Sequence, residues 1–511
     1  MASPVTENNE GMDQEDLMGS SHVSKKVLHG IKWQFLTNLS AEGIYFVNGI
    51  ILARILSPKE FGIYGLALVL SNFVYMFWNL GFNSSIIQKK KITDADLDTA
   101  FTICLLMGIT CFFIVYFSAS YMALFFMEPS VKPIARILGL TFLIYSFDRV
   151  PSAILSRDFH FKKLSVVNTY NAVAYSIIAI PLAFLGYGAL SFAWGIVGGV
   201  LIMTIYRIYW GNKLFSWRPK LRIAKHSLRD LLGFGVFITL ENMVNYFLGN
   251  LQRIITGRFL GPTELGFLNR AYSMSTLPLL KVHSNVSAVL LPAFSNIQEK
   301  REVMQNWLKK FNFFTYLIVT PPIFFFIFFS NDLIIGLFGK QWAPSASLLV
   351  WLSFSVLLGT PAIYATNILR AIGKPQLPFY ISLGRLVPFA ILMYFSAQWG
   401  IKGIVIALFI DNLLALILYL RALVRNGVFS LLDFFVSILE PIILSLVGSV
   451  ITYITYHMFI YRISIPEMRL AVTAVSYALV ISPYFIYRYF KESHIKYLDF
   501  NFKKSIKQIF A

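Results

Sequence analysis

The chain has 511 residues, of which 57% are hydrophobic and only 14% are charged, whereas soluble proteins have about 45–50% and about 25%. A soluble fold of this length cannot bury that much apolar surface, so the composition excludes a set of soluble domains and indicates a polytopic membrane protein. The net charge of +19 is interpreted as loop Lys and Arg, because no aromatic-basic groove accompanies it to indicate nucleic-acid binding.

The predicted elements are all helices. The first sixteen residues contain five acids and no Lys or Arg, the reverse of a signal peptide, and predict a disordered tail over 1–26. Apolar segments long enough to cross a bilayer, about 20 residues each, follow at 27–55, 60–87, 97–119, 131–156, 164–185, 188–208, 229–259, 270–296, 311–330, 344–369, 377–398, 401–423, 431–458 and 468–488. The prediction is an all-α protein with about 14 transmembrane helices.

The distribution of basic residues predicts the orientation of these helices. If the chain crosses the membrane fourteen times, its connections alternate between the two sides. The side that also holds both termini has 29 Lys and Arg, and the opposite side has 8. Basic residues accumulate in cytoplasmic loops, so both termini are predicted to be cytoplasmic.

An internal repeat divides the chain. The segment 54–67 matches 258–271 at six of fourteen positions, with a constant offset of 204. The identities are Arg54, Leu56, Pro58, Glu60, Gly62 and Ala67 with Arg258, Leu260, Pro262, Glu264, Gly266 and Ala271. Each segment follows the first helix of a six-helix set, which predicts two parallel six-helix lobes plus two C-terminal helices. The predicted units are the tail 1–26, the N-lobe 27–210, the C-lobe 211–425 with its preceding basic loop, the helix pair 426–488 and a basic tail 489–511.

The Pro-x-Glu-x-Gly motif of the repeat has a simple interpretation. Proline ends one helix and opens the next, and the glutamate accepts hydrogen bonds from free N–H groups at the new N-terminus. We therefore expect a helix hairpin at each of the two copies, rather than a part of the substrate site.

Charged residues within the spans are the candidate functional groups, because an ionised side chain at the bilayer centre costs at least about 2.5–3.5 kcal/mol. An excess of cations, with polar residues beside them, suits an anionic, hydroxyl-rich substrate, since Lys and Arg both bind phosphate. A cleft for cationic drugs should instead contain mainly carboxylates. The predicted substrate-binding residues are Lys281, Arg385, Arg149, Arg253 and Arg270. The predicted ion-coupling carboxylates are Asp411, Glu241 and Glu42.

The sequence contains no pattern for a metal or cofactor. Cys104 and Cys111 lie in one apolar span and are expected to be buried, inert thiols. The seven histidines are scattered singly, so no catalytic or metal-ligating constellation is predicted. The only coupling agent expected is a proton or a sodium ion.

Four segments resemble the Wzx-type polysaccharide flippases, which belong to the superfamily of multidrug and oligosaccharidyl-lipid exporters. They are LSPKEFGIY at 56–64, LSRDFHFKK at 155–163, FGKQWAPS at 338–345 and LRAIGKP at 369–375. The second is similar to the branch that serves exopolysaccharide and lipopolysaccharide biosynthesis. The resemblance covers roughly residues 27–425 and assigns no substrate-contacting residue.

The resemblance implies a flippase that works by alternating access. Its implied substrate is an undecaprenyl-diphosphate-linked oligosaccharide, moved from the cytoplasmic to the outer leaflet. Expected partners are this lipid-linked oligosaccharide and membrane lipids, with a polysaccharide polymerase and co-polymerase as candidates. Two alternatives stay open: a multidrug cation antiporter of the same fold, and a membrane enzyme of glycan assembly.

Overall fold

The computed structural model describes residues 33, 36–78, 92–157, 160–214, 219–222, 224, 236–297 and 300–494, so the predicted N-terminal tail lies outside the described residues. The helices are α1 (36–55), α2 (Pro58–Trp78), α3 (Asp94–Phe125), α4 (Val131–Arg157), α5 (Phe161–Phe184), α6 (Leu190–Leu214), α7 (Val236–Phe259), α8 (Pro262–Asn296), α9 (Arg301–Phe338), α10 (Pro344–Ala371), α11 (Gln376–Ser396), α12 (Gly400–Arg425), α13 (Leu431–Thr455, followed by a π-helical turn at Tyr456–Ile460) and α14 (Pro466–His494). These described residues contain no strand. The all-α prediction is therefore confirmed.

Many of these helices are apolar enough to cross a membrane. Nine segments of the described chain meet this condition by length and composition, and one of them, Gln376–Arg425, contains both α11 and α12. The chain is therefore a multi-pass membrane protein. The count of fourteen crossings stays a prediction, because α1, α2, α7 and α8 are not among these segments.

Several helices extend beyond the predicted apolar segments because polar residues stabilise their ends. α3 begins at Asp94 with a capping box in which the side chains of Thr93 and Asp96 bond each other's backbone N–H groups. α8 begins at Pro262 and α9 at Arg301, eight and ten residues before the predicted starts. Hydropathy locates the apolar part of a helix and misses capped polar turns outside it.

The two ends of the bundle differ in their connections. At the end that holds Pro58 and Pro262, here called the proline end, adjacent helices are joined by no more than five residues. The opposite end, here called the loop end, carries the longer connections between α2 and α3 and between α6 and α7.

The helix packing repeats after six helices. The neighbours α2–α4, α3–α4, α4–α6 and α5–α6 recur as α8–α10, α9–α10, α10–α12 and α11–α12. The two predicted six-helix lobes are thus confirmed as packing units, while their boundary residues stay predictions. Each lobe has its own core: Leu66, Val115 and Phe142 are buried in the first, and Ile334, Leu349 and Ile404 in the second.

The lobes meet where α2 packs on α8. Pro58 and Pro262 begin these helices, and the glycines four residues later lie at the contact. A β-carbon at Gly62 would overlap the carbonyl of Pro262, and one at Gly266 would overlap the carbonyl of Pro58. Glu60 accepts a hydrogen bond from the Ser57 backbone N–H at 2.6 Å, so the expected capped hairpin is present at the first copy. At the second copy the hairpin is present, but its N-cap residue Gly261 forms no side-chain cap. The motif has in addition a role that the hairpin interpretation did not include, because it forms the contact between the lobes.

The C-terminal helices are fixed to the second lobe by polar contacts along α9 and α13. Asn312 donates to Ser437 at 2.7 Å, Thr320 and Ser445 share a hydrogen bond of 2.7 Å, and Lys309 forms a 2.8 Å ion pair with Asp433. Hydrogen bonds between side chains hold membrane helices together where lipid offers no hydrophobic driving force. α13 and α14 are therefore an extension of the second lobe.

Candidate functional site

The proline end is closed by side chains that reach from one lobe to the other. Trp342 Nε1 and Gln341 Nε2 each donate to the Ala53 carbonyl at 2.7 Å. This carbonyl belongs to the last turn of α1, where the helix leaves its acceptors unpaired. In the opposite direction Arg54 donates to the Gly336 and Leu337 carbonyls at the end of α9. Trp342 and Gln341 satisfy an unpaired carbonyl, and the Arg54 cation is favourable at a helix C-terminus. Both contacts therefore stabilise the closure.

Arg270 on α8, a predicted substrate residue, is part of this closure. Its guanidinium carbon lies 4.5, 4.4 and 5.1 Å from the ring centres of Phe61, Phe338 and Trp342. It also donates to the Gly49 carbonyl of α1 at 3.4 Å. The rings come from both lobes and enclose the cation, so Arg270 joins the lobes in this conformation.

Arg253 lies at the lobe interface, on the loop-end side of the closure. Its guanidinium donates to Asn269 at 3.1 Å and to Asn250 at 2.8 Å. Asn269 in turn lies against Gly65 of α2, where no side chain intervenes. No carboxylate in the described part of the chain forms an ion pair with Arg253. Within the described residues the half-buried cation is held by neutral amides alone, which leaves its charge uncompensated there.

Arg385 and Asp411 were predicted for different roles, and the structure brings them together. Arg385 on α11 donates to both carboxylate oxygens of Asp411 on α12, at 3.2 and 2.6 Å. Both side chains are about nine-tenths buried. The pair neutralises itself in this conformation, so neither charge is available to a ligand here. The substrate role of Arg385 and the ion-coupling role of Asp411 both stay predictions.

Arg149 has a different environment on α4. The adjacent Asp148 forms a 2.6 Å ion pair with Arg207 of α6, so it does not neutralise Arg149. The Arg149 guanidinium instead lies 5.8, 5.7 and 6.0 Å from the ring centres of Tyr75, Trp78 and Tyr145. We call these three rings with Arg149 the aromatic cage.

For the three remaining predicted residues the structure gives little information about their roles. Glu42 is exposed on α1. Lys281 and Glu241 lie on the helices α8 and α7, but their side chains are outside the described residues. Their substrate-binding and ion-coupling roles stay predictions. Cys104 and Cys111 are buried and free, as expected.

Sequence reasoning missed the partners that decide which cations are neutralised. Arg207 and the aromatic rings of the cage were not among the predicted site residues. The pairs Tyr75–Trp78 and Tyr145–Arg149, three and four residues apart, indicate shared helix faces. That α2, α4 and α6 meet at this point is a property of the tertiary packing, which the spacing does not reveal.

Comparison with known proteins agrees with this fold. A family model described as "Polysaccharide biosynthesis protein" matches residues 51–347. The teichuronic acid biosynthesis protein TuaB of Bacillus subtilis (strain 168) is 24% identical over 466 residues, covering 89% of this chain and 94% of that protein. The lipopolysaccharide biosynthesis protein WzxC of Escherichia coli (strain K12) is 23% identical over 431 residues, covering 84% and 87%. These matches confirm the resemblance to the Wzx-type proteins.

A solved structure of the lipid II flippase MurJ, in an inward closed conformation, has the same fold. It superposes with a TM-score of 0.66 at 16% identity, covering 90% of this chain and 99% of that one. At this identity the likeness concerns the fold, and it agrees with the two packed lobes and the additional C-terminal helix pair described above. Since the family model matches more than half of the 511 residues, the chain belongs to the polysaccharide biosynthesis protein family.

Proposed function

We propose that this protein is a flippase that moves undecaprenyl-diphosphate-linked oligosaccharide repeat units from the cytoplasmic to the outer leaflet. Transport by alternating access needs two rigid bodies that separate at one end while they remain in contact at the other. The two lobes and their contact at the proline end supply this geometry. Membership of a polysaccharide family, and relatives named for teichuronic acid and lipopolysaccharide biosynthesis, support a glycan substrate.

The uncompensated charge of Arg253 carries the proposal. A half-buried guanidinium without a carboxylate is costly, so a cation retained at the lobe interface suits an anionic ligand. A diphosphate presents several acceptor oxygens that a guanidinium can bind in pairs. A cation antiporter would instead need accessible carboxylates, and Asp148 and Asp411 are both neutralised by arginines.

We further propose that the loop end faces the bacterial cytoplasm, as the excess of Lys and Arg favours, and that both termini lie there in the inner membrane. The proline end then faces outward, and its closure means that the site is not open to the outside in this conformation. We propose no chemical step: the protein acts as a transporter, driven by a proton or sodium gradient, and hands its product to a polymerase and co-polymerase.

A complementation experiment tests the function. In a strain deleted for this gene, the wild-type chain should restore surface glycan and clear the accumulated undecaprenyl-linked repeat units. Arg253→Gln should lower transport by about tenfold to a hundredfold, because a hydrogen bond to a charged group contributes about 1.5–3 kcal/mol. Arg421→Gln, at an exposed position on α12, is the matched control and should transport normally. If no linked repeat units accumulate without the chain, the proposed function is wrong.

A further inference from the structure

The aromatic cage contains a cation that forms no ion pair with the described residues. Asp148 is engaged by Arg207 at 2.6 Å, and none of the described carboxylates forms an ion pair with Arg149. The trio of Asp148, Arg207 and Arg149 therefore carries a net charge of about +1 at neutral pH. The buried pair of Arg385 and Asp411 in the other lobe carries none.

The polar groups of the cage are arranged to donate hydrogen bonds. Arg149 Nη2 donates to the Tyr75 hydroxyl oxygen at 3.3 Å, so the Tyr75 proton points away and can donate to a third group. Trp78 is 3% exposed, and its Nε1 has no hydrogen-bond partner among the described residues. A buried indole N–H without an acceptor is uncommon and costly. Together these groups need an acceptor that the described part of the chain does not provide.

The cage lies at the edge of the lobe contact. Along α2, Gly62, Gly65 and Val69 touch the second lobe, through Pro262, Asn269 and the hydroxyl of Tyr246. Further toward the loop end of α2, Tyr75 has 39% of its surface accessible. A ligand can therefore reach the Arg149 and Tyr75 donors from the loop-end side without separating the lobes.

We propose that Arg149, Tyr75 and Trp78 form a phosphate-binding subsite on the first lobe, distinct from Arg253. A phosphate or diphosphate ester supplies both the negative charge and the several acceptor oxygens that the donors need. The aromatic faces suit the apolar or sugar group attached to such an ester. That this ester is the lipid-linked substrate, bound here before it reaches Arg253, rests on the proposed function. A phosphate group on a bulk phospholipid is the other source of the same chemistry.

Binding of farnesyl diphosphate to the full chain, in nanodiscs of phosphatidylcholine, tests the subsite. Arg149→Gln should weaken binding by about tenfold to a hundredfold, because it removes a charge-assisted contact. The matched control is Arg136→Gln, which removes a cation from the same helix. Arg136 also stacks on a ring, that of Tyr116 at 4.1 Å, but lies near the proline end. Unchanged binding in Arg149→Gln, or an equal loss in Arg136→Gln, would overturn the proposal.

Milder variants keep the test decisive if Arg149→Gln fails to fold. Tyr75→Phe and Trp78→Phe retain the rings and remove one donor each, so each should weaken binding about threefold to tenfold. Full affinity in both would contradict the subsite. Nanodiscs containing phosphatidylglycerol distinguish a prenyl diphosphate from a bulk phospholipid as the ligand. If phosphatidylglycerol binds the subsite as well as farnesyl diphosphate does and displaces it, the assignment to a prenyl diphosphate would be overturned.

The outcome is separable from that of the proposed function. If binding depends on Arg149 while the chain fails to restore glycan export, the subsite stands and the flippase proposal fails. If export is restored and Arg149→Gln binds normally, the flippase proposal stands and the subsite fails.

Discussion

Gly62 packs so closely on the backbone of Pro262 that a β-carbon at Gly62 would overlap the Pro262 carbonyl oxygen. The same relationship joins Gly266 and Pro58, which are the equivalent residues at the offset of 204. The two lobes thus meet through a reciprocal contact of identical motifs. Only glycine lets the two backbones approach to this distance, so we expect the contact to act as a fixed point when the lobes move.

The first prediction is that Gly62→Ala separates the lobes at the proline end. The added methyl group meets backbone, which cannot move aside as a flexible side chain would. We expect a loss of about 1–3 kcal/mol in the free energy of unfolding, the usual cost of overpacking, and loss of transport. Thermal unfolding of the purified protein and glycan export in cells measure the two effects.

The matched control for this change is Gly43→Ala on α1. No atom lies within 4 Å of the position of its β-carbon, so the substitution should be neutral or stabilising by up to about 1 kcal/mol. Normal stability and export in Gly62→Ala would show that the lobes adjust freely at this contact, which contradicts the fixed point.

The two lobes could be predicted from the sequence, because the hydropathy pattern and the internal repeat can both be read from a single chain. The helix turn was predicted at both Pro58 and Pro262, but the glutamate cap is present only at Pro58, because Ser57 supplies its partner and Gly261 has no side chain. The sequence did not reveal that the two motifs touch, because a contact between residues 204 apart depends on tertiary packing.

The site was predicted less completely for the same reason. The depth of a charged residue within a span identifies it as unusual, but it does not show whether an opposite charge lies beside it. The sequence favoured Arg385 over Arg149 as a substrate-binding cation, but it did not show the partner of either side chain. The structure places a carboxylate against Arg385 and aromatic rings against Arg149, because neighbouring helices decide the partner.

The second prediction concerns the closure of the proline end. Arg54→Gln combined with Trp342→Phe removes hydrogen bonds to the ends of α9 and α1 while it preserves ring packing. Each lost bond is worth about 1 kcal/mol, so the closed state should lose about tenfold or more in population. In a chain without Cys104 and Cys111, maleimide should then label Ala53→Cys much faster, because the Ala53 side chain is buried against the second lobe.

This measurement compares a buried cysteine position with an exposed one. Ala53 is 0% exposed in the closed state, whereas Leu185 at the same end is 72% exposed and should be labelled rapidly in every background. An unchanged rate at Ala53→Cys would mean that these bonds do not hold the closure.

The third prediction distinguishes a structural role from an ion-coupling role for the ion pair of Arg385 and Asp411. Removal of one partner leaves an uncompensated buried charge, so Arg385→Gln or Asp411→Asn should each cost about 3–5 kcal/mol of stability. The double variant Arg385→Leu with Asp411→Leu should recover most of it. If the pair also couples transport to a cation gradient, the stable double variant will not respond to that gradient.

Export in vesicles with an imposed proton or sodium gradient measures this. Gradient-driven export by the double variant at the wild-type level would show that the pair is purely structural and remove Asp411 from the ion-coupling residues. The thermal unfolding of the same preparations supplies the stability comparison.

The last prediction is that Asn312 fixes α13 to the second lobe. It donates to Ser437 and accepts from the hydroxyl of Tyr364 at 2.5 Å, within a fully buried contact between three helices. Asn312→Leu has a similar volume but leaves both hydroxyls without this partner, so we expect a loss of about 1–3 kcal/mol. Ser347→Ala, whose hydroxyl is exposed near the start of α10, should change stability by less than about 0.5 kcal/mol. Wild-type thermal stability in Asn312→Leu would show that apolar packing alone holds the C-terminal helices in place.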